Sequence, residues 1–455
     1  MTEAKEIYLT RSTKHIEHYF QRFITDNPPE ILFVDQARNP SFYTMETSPY
    51  PLIKRVLQHE KNGLTSLTIC KCHLCEVEIN CLAAGLVAPT NKVRNLTFTS
   101  NSFSKSDSFT PLNWAPLLLV LQDPCNKIVS LNFAGSKMTE ECVDYLVKGL
   151  KHAYSHVKYL NLRKTGIGHS GCLKVINTLN ESFNEIEELV LSENEMRDKE
   201  FITLCRLVAF HQPAKKLRVF HCTGSKLTVE SYFALAELLR HSNFLRKINL
   251  TESYDEFSGL GVRSLFGSFI FDTNQIHELI MADNNITDTT FSDVFSIFCS
   301  SSLVKLDLSG NNMRDSGCEK LALVLQKEWN NIQRLDLSQN FIRNNGFNSL
   351  TVALANKNCK LIELFLDENL RDENLQEWSY EEFIPVLQKT NLKLMRFNYT
   401  PHNSSIIRML IRRNCAYKTI FPLLSLHHVK RIALKSSVRK LPLDLMRMVF
   451  NVLVV

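Results

Sequence analysis

Apolar residues recur along this chain in one fixed frame between Leu64 and Leu392. Two segments show the frame most clearly: LVKLDLSGNNMRDSG begins at Leu303, and IQRLDLSQNFIRNNG begins at Ile332. Both follow the pattern L-x-x-L-x-L-x-x-N-x-φ-x-x-x-G, in which φ is apolar. The first apolar position recurs about every thirty residues, at Leu64, Val93, Ile128, Val157, Ile186, Leu217, Leu245, Ile276, Leu303, Ile332, Leu361 and Leu392. Self-similarity at this period predicts a stack of repeated structural units.

Each unit is predicted to consist of a strand followed by a helix. The L-x-L alternation places apolar side chains on one face of a short strand. The second half of a unit, such as GCEKLALVLQ from Gly317, carries apolar residues at helical spacing. A single unit cannot bury both of its apolar faces, so neighbouring units must stack into one continuous core. The pattern therefore predicts an α/β repeat solenoid.

A polar slot follows each strand, eight residues after the first apolar position. Its side chain is expected to satisfy backbone groups where the chain turns inward, because unpaired backbone groups are costly in a buried turn. Asparagine fills the slot in six units, at Asn101, Asn194, Asn284, Asn311, Asn340 and Asn369. Small polar or thiol side chains fill it in five others, at Cys72, Ser136, Thr165, Ser225 and Ser253.

With these motifs, the segment 64–400 resembles the ribonuclease-inhibitor-like class of leucine-rich repeats, with about twelve repeats. The resemblance implies a horseshoe-shaped solenoid with parallel strands on the concave face and helices on the convex face. Two units are longer than the others, the one that begins at Val93 and the one that contains Asn369. We interpret the extra residues as loop insertions, which are frequent places for binding features.

Residues 1–62 are predicted to form an N-terminal helical cap. The segment KHIEHYFQRFI places a stripe of apolar side chains, Ile16, Tyr19, Phe20, Phe23 and Ile24, on one helical face. Such a stripe suits the exposed edge of the first repeat, which solenoids need to cover. The segment EILFVDQARN within this region is alternatively a degenerate opening repeat.

The candidate binding residues lie between the inward-pointing leucines of each strand, because alternate side chains of a strand point to opposite faces. The early repeats carry small uncharged residues at these outward positions, and the later repeats mix charges with aromatic and apolar residues. Aromatic residues among charges are typical of protein-binding surfaces. No basic stripe follows this face, so nucleic acid is not favoured. The candidate residues for a protein ligand are Tyr159, Glu188, His221, Lys247, Glu278, Asp307, Arg334, Asp336 and Phe365.

Two motifs resemble ligand-binding motifs of other proteins, but the repeat explains them better. GIGHSG satisfies a dinucleotide-binding pattern, but its Gly171 occupies the repeat slot of Gly317 and Gly346. CKCHLCEVEINC contains Cys70, Cys72, Cys75 and Cys81, yet a zinc site needs four convergent ligands. Cys72 is predicted to point inward and Cys70 outward, which favours structural thiols. We expect no catalytic, cofactor-binding or metal-binding residues; an enzyme with a site assembled across repeats is the less favoured rival.

The composition indicates a cellular location and distinguishes the basic C-terminal segment from the rest of the chain. Thirteen cysteines, an odd number, do not suggest a disulfide framework, and the polar start MTEAKE does not resemble a secretory signal. No apolar stretch is long enough to predict a transmembrane segment. These features favour reduced thiols and a cytoplasmic location, with the nucleus as the alternative. The net charge of +6 is concentrated in residues 401–455, which carry ten Lys or Arg and one acid.

The basic segment 401–455 is predicted to form a helical C-terminal tail. SLHHVKRIAL and KLPLDLMRMV resemble a SOCS box, the adaptor-binding tail of cullin–RING ubiquitin ligase receptors. The resemblance implies binding to elongin B/C and a cullin. The matching residues are Leu426, Val429, Arg431, Leu434, Leu441, Pro442 and Leu443. The tail departs from the family pattern at Lys430, where the family has cysteine, and at Asp444, where it has proline.

Three roles for the tail remain open at this stage: adaptor docking, a cap that closes the solenoid, and a basic element on an anionic membrane surface. The sequence favours a non-enzymatic protein-binding protein that acts as a substrate-recognition subunit of a cullin–RING ubiquitin ligase. The alternative is an interaction scaffold or an inhibitor whose tail only caps the repeats, which includes an effector secreted into a host cell.

Overall fold

The computed structural model describes residues 6–10, 30–35, 49–72, 74–100, 113–241, 244–253, 258–270, 275–291, 302–369, 383–388 and 396–398 of the 455-residue chain. The chain divides into two compact units, Met1–Ile276 and His277–Val455. In each unit, successive strands pair with one another in parallel and successive helices pack against one another. This is the arrangement of a leucine-rich-repeat solenoid, which confirms the predicted fold class.

The first unit contains nine described strands in one parallel sheet, each paired with the next along the chain. Strands β1 to β9 are Glu6–Thr10, Ile31–Asp35, Ser66–Cys70, Asn95–Thr99, Ser130–Asn132, Tyr159–Asn161, Glu188–Val190, Val219–His221 and Lys247–Asn249. Helices α1 to α8 are Tyr50–Leu57, Glu76–Leu86, Ala115–Leu119, Glu140–Leu150, Gly168–Asn177, Asp198–Phe210, Val229–Arg240 and Ser258–Gly267. Four 3₁₀ turns lie at Val120–Gln122, Thr178–Asn180, Pro213–Lys216 and Ser268–Ile270.

The second unit repeats the same plan with five described strands. Strands β10 to β14 are Glu278–Ile280, Lys305–Asp307, Arg334–Asp336, Glu363–Phe365 and Arg396–Asn398. Helices α9 to α12 are Asp288–Phe291, Asp315–Leu325, Asn344–Ala355 and Phe383–Gln388. The strand pairs keep one register, so that Leu306, Leu335 and Leu364 are direct partners on neighbouring strands.

The core consists of the apolar positions that the frame predicts. The first apolar position of each described repeat, from Leu64 to Leu361, is at most 2% exposed. Aromatic residues cluster in the core of the first unit, where the ring centroids of Phe98, Trp114 and Phe133 lie 5.0–5.3 Å apart. The inward columns are thus confirmed from Leu64 to Leu361, and Leu392 lies outside the described residues.

The sheet begins earlier than the predicted boundary between cap and repeats. Strands β1 and β2 precede Leu64 and pair in register with β3, so that Leu32 lies beside Leu67. Leu32 and Val34 are buried like the inward residues of the later repeats. The frame did not reach these strands because Pro29 stands where it has its first apolar residue. The segment EILFVDQARN therefore contains a strand of the repeat sheet, and the apolar stripe from Ile16 to Ile24 lies outside the described residues.

The polar slot has the role predicted for it. In Asn311, Nδ2 donates to the carbonyl oxygens of Met281 and Leu308 at 2.9 Å, and Oδ1 accepts from the backbone N–H of Ile286 at 2.9 Å. Asn194, Asn340 and Asn369 also donate from Nδ2 to one carbonyl of their own turn and one of the preceding repeat, so each of them joins the two turns. Ser136 replaces part of this pattern by donating from Oγ to the carbonyl oxygen of Phe98 at 3.1 Å. The slot residue Asn101 lies outside the described part.

The repeated glycine is explained by close packing. Gly171, Gly317 and Gly346 each lie in the first turn of a helix and are buried. A methyl group on Gly171 would lie 2.7 Å from Cβ of Ile167, which is too close for two carbon atoms. The glycine pattern of GIGHSG therefore has a structural explanation in the contact between turn and helix.

Candidate partner-binding surface on the strands

We call the side chains that point away from the core on the described strands the strand face. Alternation along each strand separates them from the buried residues: in β6, Leu160 is buried while Tyr159 and Asn161 are partly exposed. The same alternation holds in β8, β9 and β10 to β13. All nine candidate residues lie on the strand face, four in the first unit and five in the second.

In the first unit, the neighbouring strands β6 to β9 carry a tyrosine, a carboxylate, an imidazole and an amine on the strand face. Tyr159, Glu188 and Lys247 belong to one row across the sheet, because their strand positions are in register. His221 lies in the adjacent row, with Nε2 at 3.8 Å from Oε1 of Glu188. Nδ2 of Asn161 donates to the Tyr159 hydroxyl at 3.1 Å, which fixes the end of the aromatic side chain.

Partial burial changes the acid–base properties of this group. Burial raises the pKa of the Glu188 carboxyl, and the positive charge of Lys247 opposes that rise. Burial also raises the pKa of the Tyr159 hydroxyl, so the tyrosine is a neutral hydrogen-bonding group at pH 7. The row thus offers a hydroxyl, a carboxylate and an amine over a short stretch of sheet, which suits recognition of a polar surface.

The strand face of the second unit has a denser arrangement of charges. Nζ of Lys305 lies 3.7 Å from Oε2 of Glu278, and Nη1 of Arg334 lies 3.1 Å from Oε2 of Glu363. The guanidinium carbon of Arg334 also lies 4.8 Å above the centre of the Phe365 ring. This contact to an aromatic face and the bond to Glu363 hold the guanidinium in one place.

Asp307 and Asp336 have a structural role that the sequence did not reveal. Oδ1 of Asp307 accepts from the backbone N–H of Ser309 at 3.0 Å, and Oδ1 of Asp336 accepts from that of Ser338 at 3.1 Å. These bonds close the turn after each strand. Burial raises the pKa of the Asp336 carboxyl, the bonds from Ser338 lower it, and the neighbouring negative charge of Asp307 raises it.

Strands β3 to β5 carry a different surface. Their outward residues are small and uncharged, and include Ser66, Thr68, Asn95, Thr97, Ser130 and Asn132. The side chain of Asn132 is occupied in a turn, because its Oδ1 accepts from the backbone N–H of Ala134 at 2.9 Å. Between β3 and β13, the charged and aromatic candidates are therefore concentrated from β6 onward.

The cysteine-rich segment places its thiols in different surroundings. Cys72 is buried and its Sγ lies 3.1 Å from the carbonyl oxygen of Cys70, whereas Cys75 is exposed. The Thr99 hydroxyl donates to Sγ of Cys70 at 2.9 Å. Across the described residues, no three His, Cys, Asp or Glu side chains converge closely enough to hold a metal ion. The eleven cysteines in those residues are thiols, with no disulfide among them.

An apolar groove on the helical side was not predicted from sequence. It lies between α6 and α7 and has a volume of about 420 Å³. Phe210 and Phe233 line it and are 57% and 47% exposed, and Cys205 lies at its floor. Each of the two helices carries a phenylalanine outside its buried apolar stripe, and this was the feature of the sequence that could have indicated the groove. Helical periodicity alone places such a residue on the solvent-exposed side.

Several predicted features lie outside the described residues. These are all seven candidate adaptor-binding residues of the tail, the loop that follows Asn369, and the additional residues of the unit that begins at Val93. Among the helices that are described, none has both the length and the hydrophobicity needed to cross a bilayer.

Comparison with known proteins agrees with the repeat architecture. A leucine-rich repeat family model matches residues 299–322. The chain is 25% identical over 323 residues to human NACHT, LRR and PYD domains-containing protein 13, covering 58% of this chain and 29% of that protein. It is 27% identical over 212 residues to pig ribonuclease inhibitor, covering 44% of this chain and 45% of the inhibitor. The chain thus spans less than half of the length of these relatives.

Among solved structures, an internalin from Listeria monocytogenes aligns with 79% of this chain and 91% of its own chain, with a TM-score of 0.43 and 16% identity. The strand–helix units, the asparagine slot and the matched repeat together identify these units as leucine-rich repeats. The chain therefore has the architecture of a leucine-rich-repeat solenoid, and it is similar in sequence to ribonuclease inhibitor and to repeat-containing NACHT proteins.

Proposed function

We propose that the strand face binds a protein ligand through the charged and aromatic residues of β6 to β13. The observation that carries this proposal is the set of nine outward side chains from Tyr159 to Phe365, which includes a tyrosine, an arginine and a phenylalanine among charges. Tyrosine and arginine are the residues that most often dominate binding energy at protein interfaces.

Two of the principal side chains of this surface have partners within the chain, which supports the proposal. Arg334 is held by Phe365 and Glu363, and Tyr159 is held by Asn161. Binding to groups that are already in place costs less conformational entropy than binding to mobile ones. Short strands carry these groups, and rigid elements position binding residues more accurately than loops do.

Charge reversal tests this surface. We expect the double variant Lys247→Glu, Arg334→Glu to lose the proteins that co-purify with the wild-type chain from cells, because it reverses one central charge in each unit. Lys148→Glu with Lys357→Glu is the matched control, since both lysines are exposed and lie outside the strand face. Equal recovery of the same proteins by the strand-face variant and the wild type would contradict the proposal.

For the tail, we propose that residues 425–444 dock the chain onto elongin B/C and a cullin, so that the protein delivers its bound ligand to a ubiquitin ligase. The resemblance of SLHHVKRIAL and KLPLDLMRMV to a SOCS box supports this role. A cytoplasmic location is consistent with eleven thiols and no disulfide in the described residues. The alternative is a scaffold or inhibitor in which the tail caps the last repeat.

Leu426→Ala separates the two roles of the tail. A leucine buried in a partner contributes roughly 1.5–3 kcal/mol, so the variant should lose about tenfold of adaptor binding. Its melting temperature should remain that of the wild type. Asp444→Pro restores the family residue and should leave elongin binding intact. If no elongin or cullin co-purifies with the wild type and Leu426→Ala lowers the melting temperature, the tail is a cap.

A further inference from the structure

At the N-terminal ends of the later strands in the first unit, two arginines lie next to each other. Arg218 directly precedes β8 and Arg246 directly precedes β9, and the two strands pair in register. The Arg246 N–H donates to the Arg218 carbonyl oxygen at 2.7 Å, which continues the strand ladder to these residues. Neighbouring parallel strands lie about 4.8 Å apart, so the two side chains leave the sheet at adjacent places. We call the following residues the basic edge: Lys215, Lys216, Arg218, Phe244 and Arg246.

The acids beside the basic edge are too few to neutralise it. Glu187 lies between two cations, with Oε1 at 2.8 Å from Nζ of Lys158 and Oε2 at 3.8 Å from Nε of Arg218. The hydrogen bond and the charge of Glu187 raise the pKa of the Lys158 ammonium, and the charge of Glu185 adds to that rise. Both acids therefore act mainly on Lys158, and Arg218 has only a distant share of one carboxylate.

Two cations of the basic edge are held in place by backbone carbonyls. Nζ of Lys216 donates to the carbonyl oxygen of Asn184 at 2.7 Å, and Nη1 of Arg246 donates to that of Gln275 at 3.2 Å. A carbonyl oxygen orients a cation but carries no net charge that could cancel it. Lys215, Lys216 and Arg246 form no ion pair with the acids that the structure describes. The basic edge thus keeps an excess of positive charge, which is complementary to an anion.

Two phenylalanine rings are exposed beside these cations. Phe244 is 47% exposed and stands two residues before Arg246. Phe183 is 52% exposed and directly precedes Asn184, whose carbonyl oxygen accepts from Lys216. Aromatic and arginine side chains are among the groups that contribute most binding energy when an interface covers them. The surface therefore combines positive charge with apolar area that a partner can bury.

The repeat fold does not require this combination. Val304, Gln333 and Ile362 directly precede β11, β12 and β13, where they stand in the place of Arg218, and none of them is charged. Those strands pair in the same parallel register. The cations at β8 and β9 are therefore a property of this surface and not of the repeat.

We propose that the basic edge binds an acidic segment of a protein partner that also carries an apolar side chain. Carboxylates of the segment accept charge-assisted hydrogen bonds from the guanidinium groups of Arg218 and Arg246, whose planar arrangement of donors matches a carboxylate. The apolar side chain packs on the ring of Phe244. This inference goes beyond the proposed function, because the basic edge lies beside the strand face and not on it.

A protein segment fits the basic edge better than a nucleic acid strand does. A nucleic acid carries a phosphate at every nucleotide, and proteins that bind single strands follow the backbone with a continuous positive groove. Glu185 and Glu187 interrupt the edge on the side towards β6, where their charges would repel a phosphate backbone. A protein segment can end its acidic stretch at that place.

Fluorescence polarisation of labelled, terminally blocked peptides tests the inference on the full chain. The probe EEFEE carries carboxylates around one phenylalanine. QQFQQ is its uncharged isostere, and EEAEE lacks the ring. We expect EEFEE to bind saturably and both other peptides to bind more weakly, because the basic edge offers charge and apolar area together.

Variants of the chain locate the binding. Arg218→Gln with Arg246→Gln removes two positive charges and keeps an N–H donor at each place. Each lost charge should weaken EEFEE binding roughly threefold, and the double variant roughly tenfold. Lys199→Gln with Lys226→Gln is the matched control, since both lysines are exposed and follow the C-terminal ends of β7 and β8. Phe244→Ser is an independent variant that should weaken EEFEE binding and leave EEAEE binding unchanged.

Saturable EEFEE binding that weakens in the arginine and Phe244 variants, with wild-type binding in the lysine control, would support the inference. It is overturned if EEFEE does not bind saturably, if QQFQQ or EEAEE binds as tightly, or if the two double variants behave alike. Tighter binding of a labelled oligothymidylate that is lost in the arginine variant would assign the edge to nucleic acid and would overturn it as well. All of these outcomes leave the strand-face proposal intact, because the charge reversal of Lys247 and Arg334 changes other residues.

Discussion

Removal of the Asn340 side chain should destabilise the protein more than removal of any exposed asparagine. Asn340 is fully buried. Its Nδ2 donates to the carbonyl oxygens of Leu308 and Leu337 at 2.9 and 3.1 Å, and its Oδ1 accepts from the backbone N–H of Met313 at 3.0 Å. The side chain therefore adds its bonds to two turns that the backbone also joins, for example from the Phe341 N–H to the Met313 carbonyl at 2.8 Å.

The magnitude follows from the groups that Asn340→Ala leaves without partners. A buried donor or acceptor that loses its partner costs about 1–3 kcal/mol, and the variant removes a partner from one backbone amide and three backbone carbonyls. Because some of these groups keep other contacts, we expect a loss of about 3–5 kcal/mol in the free energy of unfolding. Asn340→Ser should lose about 1–2 kcal/mol less, because Ser136 and Ser253 fill the same slot elsewhere with one donated bond.

Urea unfolding followed by circular dichroism measures these differences, since the free energy falls linearly with denaturant. Hydrogen exchange at the Met313 amide should accelerate in Asn340→Ala, because that amide loses its acceptor. Asn345→Ala is the control, as Asn345 is exposed in the first turn of α11. Equal losses in the two alanine variants, or a loss under about 0.5 kcal/mol at Asn340, would refute this account of the slot.

Three further predictions follow from burial and packing. Asp336→Asn should raise the free energy of unfolding at pH 7, because the raised pKa of the Asp336 carboxyl means that the folded state favours the protonated acid. This gain should vanish as the pH falls through the pKa of the carboxyl group. A difference between variant and wild type in urea unfolding that does not depend on pH would contradict this. Gly317→Ala should lower the free energy of unfolding by roughly 1–3 kcal/mol, since the added methyl group would lie 2.6 Å from Oδ1 of Asp288. Gly267→Ala is the control: its methyl group meets no atom within 4 Å, so the free energy of unfolding should not change in the same assay. Cys75 should react with a thiol reagent in the folded protein, because its side chain is exposed, whereas the buried Cys205, Cys222 and Cys318 should react only after denaturation. Burial raises the pKa of all four thiols, so access of the reagent, and not the pKa alone, separates them. Rapid reaction of the buried thiols in native protein would count against the packing.

Much of the fold was predictable because burial repeats at a fixed spacing. Leu306 and Leu335 are partners in the sheet since both occupy the same place in the frame, and the frame is visible in one sequence. The outward columns followed from strand alternation alone. Strand β1 escaped prediction, and β2 entered only as the alternative of a degenerate opening repeat, because Pro29 stands where the frame has its first apolar residue.

The partners of the candidate residues could not be predicted, because they depend on side-chain geometry across strands. Alternation placed Arg334 on the strand face, but its stacking on Phe365 depends on the conformations of both side chains.

Another regularity was present in the sequence and was missed. An asparagine precedes many first apolar positions by two residues, and Oδ1 of Asn91 accepts from the Val93 N–H at 3.0 Å. The pattern N-x-φ before a strand would have revealed it.

The most direct test of the strand face as a binding surface is site-specific photo-crosslinking in cells. A benzoylphenylalanine at Tyr159 places the reactive group on the strand face, and one at Phe233 places it in the groove on the helical side. Our account predicts a discrete protein adduct from position 159 that disappears in the Lys247→Glu, Arg334→Glu background, with no equivalent adduct from position 233. An adduct formed only from position 233 would contradict it and assign the binding surface to the helices.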